Sequence, residues 1–296
     1  MDTTQLNKQL QEWIDEMEKK GLQVSLNDIN AHLQTIMTTH NATPVASFNG
    51  FTPNQMSQML SSPLGEHCPV KLRQLSDEQI QQIPIMRQVL HLMDILCKGD
   101  LKLTNQGYIP PKIVSELYDL GIHSWSSDYY NHLTEARSEE VQTLRVVLKQ
   151  CGLIKTLLGK MSLTAKGKKL LPDHNKLMST VIVFLMDDYN TAWLDAYEDY
   201  RTGNIGRCYS LWLLHHFGSD WRHEAFYESE YAKAFPRLDA TQGYWCRVFQ
   251  RLFRLIGICE INDGKEFAGQ EWSRRARKTP LLEMMFSFEE PDNQKA

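Results

Sequence analysis

The sequence predicts a mainly α-helical fold with short β-hairpins, arranged as two similar helix-and-hairpin units plus an N-terminal helical extension. Three observations predict it. Apolar residues recur at helical spacing along most of the chain, and capping residues stand where those patterns begin. A helix end that runs through Gly into an apolar strand also occurs twice. It reads Leu148-Lys149-Gln150-Cys151-Gly152-Leu153-Ile154, and again Phe253-Arg254-Leu255-Ile256-Gly257-Ile258-Cys259. Duplication explains this echo, and so does a chance likeness between two amphipathic helices that each precede a hairpin.

The extension spans residues 1–75. Leu6, Leu10, Trp13, Ile14 and Met17 form one apolar stripe, which Gly21 stops. Ser25 caps a second helix, on which Ile29, Leu33, Ile36 and Met37 repeat the spacing. After a linker at 38–51, Thr52-Pro53-Asn54-Gln55 combines a capping Thr, a Pro at the first helical position and a Gln at the third. The short helix it starts carries Met56, Met59 and Leu60, and Ser61-Ser62-Pro63-Leu64-Gly65 ends it. Such short helices bury little by themselves, so they are expected to dock on the rest of the chain or on a partner.

The first unit covers 76–176. Ser76-Asp77-Glu78-Gln79 is a capping box, and Pro84 restarts the chain into a buried helix reaching Cys97, rich in Val89, Leu92, Met93 and Leu96. Leu101-Lys102-Leu103-Thr104 alternates as a short strand before a turn at Gly107. Pro110-Pro111 opens a helix with Ile113, Val114, Leu117 and Leu120 inward, and Gly121 ends it. Ser138, with Glu139 and Glu140 in the first turn, starts a helix through Cys151, its acidic start suiting the helix dipole. Residues 152–163 then read as two strands around a Gly turn, and Thr164 caps a helix through Leu171.

The run GLIKTLLGKMSLTAKGKKLL resembles the wing and following helix of bacterial winged helix-turn-helix proteins, and LKLTNQGYIPPKIVSELYDLG resembles a segment of a family of uncharacterised bacterial proteins. The resemblance implies a winged-helix fold for this unit. It transfers no functional residue, because those vary across the family.

An acidic helical linker is expected at 177–203, then a second winged-helix-like unit at 204–286 and a polar, frayed tail at 287–296. The second unit places helices at 208–217, 224–235 and 243–256. A hairpin follows, turning at Asn262-Asp263-Gly264 between 258–261 and 266–268, and Thr279-Pro280 caps a last helix through Phe286.

Composition excludes several classes. The 296 residues are 42% hydrophobic and 23% charged, ordinary for a chain that buries real cores. The start is amphipathic and acidic, unlike a signal peptide, and 181–186 is far too short to span a bilayer. Six scattered cysteines without CxxC spacing read as reduced thiols in a cytoplasmic protein, with no zinc site and no cofactor. There is no GxSxG, P-loop or GxGxxG, and His215-His216, His223-Glu224 and Asp187-Asp188 lack catalytic or metal-binding spacing. The sequence therefore reads as a non-catalytic binding protein.

The net charge of -4 conceals basic features. Arg247, Arg251 and Arg254 form a stripe on the third helix of the second unit, where a DNA-reading winged helix makes its contacts. Arg274, Arg275, Arg277 and Lys278 follow the wing, while Arg145, Lys149, Lys155, Lys160, Lys166, Lys168 and Lys169 cluster in the first unit. Arg supplies planar donors for phosphate and guanine edges, so double-stranded DNA is the first candidate partner. Glu139, Glu140, Glu260, Asp263 and Glu266 count against it, whereas the acidic block Asp187, Asp188, Asp195, Glu198 and Asp199 that follows the lysines reads as a solvated face of opposite sign. The rival reading is a protein-interaction scaffold, or self-association, with winged helices as packing modules. Its candidate surface is the aromatic-rich stretch from Trp193 to Trp245, whose default role is core. The two readings part on whether Arg247, Arg251 and Arg254 are exposed together or held by neighbouring carboxylates.

Overall fold

The computed structural model of the chain describes residues 3–122, 133–262 and 274–291. The chain divides into two compact units, one of Met1–Gln58 with Glu290–Ala296 and the other of Met59–Glu289. The division falls near 58 rather than at 75, and both helix-and-hairpin halves belong to the larger unit.

In the smaller unit, α1 (Thr3–Lys19) and α2 (Leu26–Ala42) form where the apolar stripes predict them. Ser25 and Asp28 close a reciprocal capping box at the start of α2. Gly21, at φ 74, lets the chain leave α1 with its amide on the Glu18 carbonyl and the Leu22 amide on that of Met17. Thr52 and Gln55 bond reciprocally ahead of α3 (Pro53–Ser61).

The first half of the larger unit begins with β1 (Val70–Leu72) and the short α4 (Asp77–Ile80), capped reciprocally by Ser76 and Gln79. Its body is α5 (Pro84–Lys98), β2 (Leu101–Lys102), α6 (Pro111–Leu120), α7 (Glu139–Gln150), β3 (Ile154–Leu157) and β4 (Lys160–Leu163), with α8 (Ala165–Leu170) closing it. Ile85, Met86, Val89, Leu92 and Met93 of α5 and Val141, Leu144, Val147 and Leu148 of α7 are wholly buried and make the core.

The second half repeats this order as α10 (Arg207–Phe217), β5 (Arg222–His223), α11 (Glu224–Ala234), a third helix, β6 (Cys259–Asn262) and β7 (Arg275–Lys278), closed by α13 (Pro280–Met285). The third helix is a π-helix over Trp245–Phe253, ending in α12 (Arg254–Ile256); the Arg254 amide reaches back five residues to the Phe249 carbonyl. The antiparallel sheets are ordered β2-β4-β3 and β5-β7-β6, the same arrangement in each half.

The likeness extends to single hydrogen bonds. Gly152 and Gly257 both take positive φ, 69° and 88°, at the end of the third helix. The Leu153 amide reaches the Leu148 carbonyl as the Ile258 amide reaches that of Phe253. After each hairpin a Thr returns to this turn. Thr164 Oγ1 donates to the Gly152 carbonyl at 2.6 Å, and Thr279 Oγ1 to the Gly257 carbonyl at 2.8 Å.

Three expectations change. The stretch 177–203 is not one helix: α9 (His174–Met186) ends it early, and a 3-10 turn at Thr191–Leu194 follows. Asn190, Asp195 and Asp199 each accept a backbone N–H two residues on, which competes with helix formation. The strand paired with β6 is β7, so the basic run at 274–278 lies in the hairpin rather than beyond it; Asp263, Gly264 and 266–268 lie outside the described residues. Finally, the last helix stops at Met285 rather than Phe286, and residues 287–288 are not frayed: Phe286–Phe288 forms β8, antiparallel to β1, with Phe286 wholly buried and Phe288 stacked on His215 at 4.0 Å. The rest of the tail, 292–296, lies outside the described residues.

Candidate nucleic-acid interface

The third helix of the second half points two of its arginines, Arg247 and Arg251, into the protein. Arg247 is 0% exposed. Its Nε and Nη2 donate to Asp195 Oδ2 and Oδ1 at 3.0 and 2.7 Å, and its Nη1 to the carbonyls of Asp199 and Thr202 at 2.6 and 2.8 Å. The Tyr197 ring lies 5.6 Å from the guanidinium carbon. The backbone crowds this group: at Gly203 (φ 75) a Cβ would come within 3.0 Å of Arg247 Cβ, and at Gly243 (φ 90) within 3.1 Å of Arg247 Nε.

Arg251 joins the same carboxylate. Its Nη1 donates to Asp195 Oδ2 at 2.5 Å and to the Thr191 carbonyl at 3.0 Å, and its Nη2 to the Leu194 carbonyl at 3.2 Å. Its Nε reaches Glu139 Oε1 at 3.2 Å, tying the third helix of one half to the start of α7 in the other. Burial raises the Asp195 carboxyl, but hydrogen bonds from Arg247 and Arg251 outweigh it and leave Asp195 below the usual carboxylate range. Burial dominates at Glu139, which stands above that range despite Arg251. Arg254 is half-buried. The expected basic stripe is therefore corrected: Arg247 and Arg251 are internal counter-charges to the acidic segment.

The remaining predicted residues separate into two groups. Arg145 is fixed in place, its Nη1 donating to both Glu135 oxygens at 2.9 and 3.0 Å and to the Gly107 carbonyl at 2.9 Å. Lys166 donates to the Cys151 carbonyl at the end of α7 at 2.8 Å, and Arg274 pairs with Glu224 at 2.5 Å. These three hold the fold. Lys149, Lys155, Lys160 and Arg275 have exposed side chains. The structure thus leaves no single basic surface built from the third helices. It gathers instead a smaller lysine group on the first hairpin, where Lys102 stands opposite Lys160 and Lys160 opposite Leu157, with Lys155 two residues along the same face. The turn of this hairpin is Leu158-Gly159, at φ 49 and 71. Leu158 is 91% exposed there and Leu157 64%. A cationic face with an apolar tip can bind phosphate or carboxylate; Lys102 and the two leucines were missed because no helical pattern marks them.

Most of the aromatic stretch is core. Tyr209, Trp212, Tyr227, Tyr231 and Tyr244 are wholly buried and Trp245 nearly so, with Tyr231 stacked on Tyr244 at 4.1 Å and Trp245 on Phe249 at 4.7 Å. Trp193, Tyr197, Tyr200 and Trp221 stay partly outside. His215 bonds Glu283 at 2.7 Å, His216 stacks on Trp212 at 4.8 Å, and His223 Nδ1 accepts the Ala225 amide at 3.1 Å, so each has a structural partner. Among the described residues, no group of three or more His, Cys, Asp or Glu is placed to hold a metal ion, and no helix is long and apolar enough to cross a membrane. All six cysteines are free thiols. No family model, curated protein or solved structure matches the chain.

Proposed function

We propose that the chain is a non-catalytic, cytoplasmic protein-interaction scaffold built from two winged-helix modules that serve as packing units rather than as readers of the major groove. The shared order of helices and strands and the shared strand pairing support the winged-helix assignment. The clasp of Arg247 and Arg251 on Asp195 is the observation that carries the functional reading. A recognition helix needs side chains free to reach base edges. In α7 the residues from Glu140 to Leu148 are buried or half-buried, and from Trp245 to Ile256 no residue is exposed.

A second reading has its own support. Lys102, Lys155 and Lys160 on the first hairpin suit phosphate contact, which makes duplex nucleic acid the alternative partner.

The two readings are separated by titrating labelled duplex DNA with the full chain and two variants, Arg251→Gln and Lys155→Glu/Lys160→Glu, at about 50 and 200 mM salt. The scaffold reading expects only weak binding at low salt, and a lower melting temperature for Arg251→Gln. Tight, salt-sensitive binding that the hairpin variant abolishes and Arg251→Gln spares would overturn it in favour of nucleic acid.

A further inference from the structure

The smaller unit presents two 17-residue helices, α1 and α2, without a buried residue anywhere on α2. Leu6, Leu10, Trp13 and Met17 on α1 follow a 4-3-4 spacing, and Ile29, Leu33, Ile36 and His40 on α2 follow the same one. This is the a/d seam of a coiled-coil pair, and Trp13 stacks on His32 across it at 4.2 Å. All eight seam residues are only half-buried. Two helices alone cover each other's seam from one side, whereas a four-helix bundle closes it from both.

We propose that this hairpin is a self-association arm through which two copies of the chain form an antiparallel four-helix bundle. The inference deepens the scaffold reading, on which it rests, by naming one partner: a second copy.

Charge placement selects that partner. In the heptad frame of the seam, Lys8, Glu12, Asp15, Glu18 and Lys19 occupy the outer positions b, c and f. The positions flanking the seam carry Asn7, Gln9, Ile14 and Glu16 on α1, and Asn30, His32, Met37 and Thr39 on α2. Glu16 is neutralised by Lys20 at 2.5 Å. The free face is therefore almost uncharged and meets its own copy without repulsion, as an isologous interface requires. The lysine-bearing first hairpin would instead repel its copy. Met37, 53% exposed, flanks the seam, and Leu26, 78% exposed, continues it toward the start of α2. Size also fits. Helices of this length are about 25 Å long, so two side by side offer a face of roughly 500 Å² per copy, about 1,000 Å² in total, which meets the threshold for a specific interface.

Sedimentation velocity of the full chain, from about 1 to 100 µM, tests this. The expected result is a concentration-dependent dimer, with Met37→Asp weakening the association by about tenfold or more. Met37 lies beside the seam, so helicity by circular dichroism should be unchanged. A second measurement guards against loss of the hairpin fold: with Cys97→Ser removing an exposed thiol, Met37→Cys should cross-link two copies through a short bis-maleimide. A monomer throughout the range, or a dimer indifferent to Met37→Asp and refractory to cross-linking, would overturn the proposal. Either result leaves the scaffold reading standing, because that fails only through the DNA titration and Arg251→Gln.

Discussion

Asp195 accepts hydrogen bonds from Arg247 on both carboxylate oxygens, at 2.7 and 3.0 Å, and the acid and the arginine are 8% and 0% exposed. Removing the acid strands a buried guanidinium, while removing Arg251, at 13% exposure, leaves Asp195 still paired with Arg247. Asp195→Asn should therefore cost about 3–5 kcal/mol of unfolding free energy, and Arg251→Gln only about 1–2 kcal/mol. Urea denaturation of both variants gives the comparison. Equal costs would mean that Asp195 is not the centre of the cluster.

The same carboxylate sets a pH dependence. Asp195 is depressed in the folded protein, so its contribution is fully present above its unfolded value, about 4, and is lost as pH falls through the lower folded value. Glu139 is raised, so its contribution has the opposite sign: present below its unfolded value and lost as pH rises through the folded one. Thermal unfolding between pH 2 and 7 should show an acid limb below about pH 4 that flattens in Asp195→Asn. Glu139→Gln should leave that limb in place and remove a shallow decline above it. An unchanged acid limb in Asp195→Asn would assign it to other carboxylates.

What the sequence made legible was local. Ser25, Thr52, Ser76, Ser138 and Thr164 all cap where their side chains and the following apolar pattern place them, since a cap and its helix lie within four residues. The Gly152 and Gly257 turns were legible for the same reason. The clasp was not, because Asp195 and Arg247 lie in different elements and each charge reads as a solvated face by itself. The pairing of Val70 with Phe288 escaped likewise: three-residue strands carry no measurable alternation, and their partners are remote. The π-helix leaves no mark, since its apolar spacing passes for that of an α-helix.

Gly257 sits where the two halves touch. A Cβ there would stand 2.7 Å from Pro84 Cδ at the start of α5, and the backbone is at φ 88. Its counterpart Gly152, at φ 69, has only Lys166 Cδ near, at 3.9 Å. Gly152→Ala should cost about 1–2 kcal/mol, the penalty of a left-handed non-glycine residue. Gly257→Ala adds a collision with a rigid ring, so about 3 kcal/mol or more is expected. Chemical denaturation of the two single variants decides it, and equal costs would show that α5 gives way at no expense.

Thr164 and Thr279 occupy matching places but do unequal work. Each hydroxyl donates to the glycine carbonyl of its half. Thr164 Oγ1 also accepts the Gly167 amide at 2.9 Å and so caps α8, whereas Thr279 makes no side-chain cap bond and is followed by Pro280 at the first position of α13. Valine keeps the shape of threonine and removes the hydroxyl, so the variants isolate those bonds. Thr279→Val should cost about 1 kcal/mol for one lost hydrogen bond, and Thr164→Val about 2 kcal/mol for that bond and the cap together. Hydrogen exchange adds a local signature: the Gly167 amide should lose protection in Thr164→Val, while α13 keeps its protection in Thr279→Val, because the Thr279 side chain makes no cap bond there to lose. Loss of protection across the whole larger unit in either variant would instead mark global destabilisation and contradict a cap-sized effect.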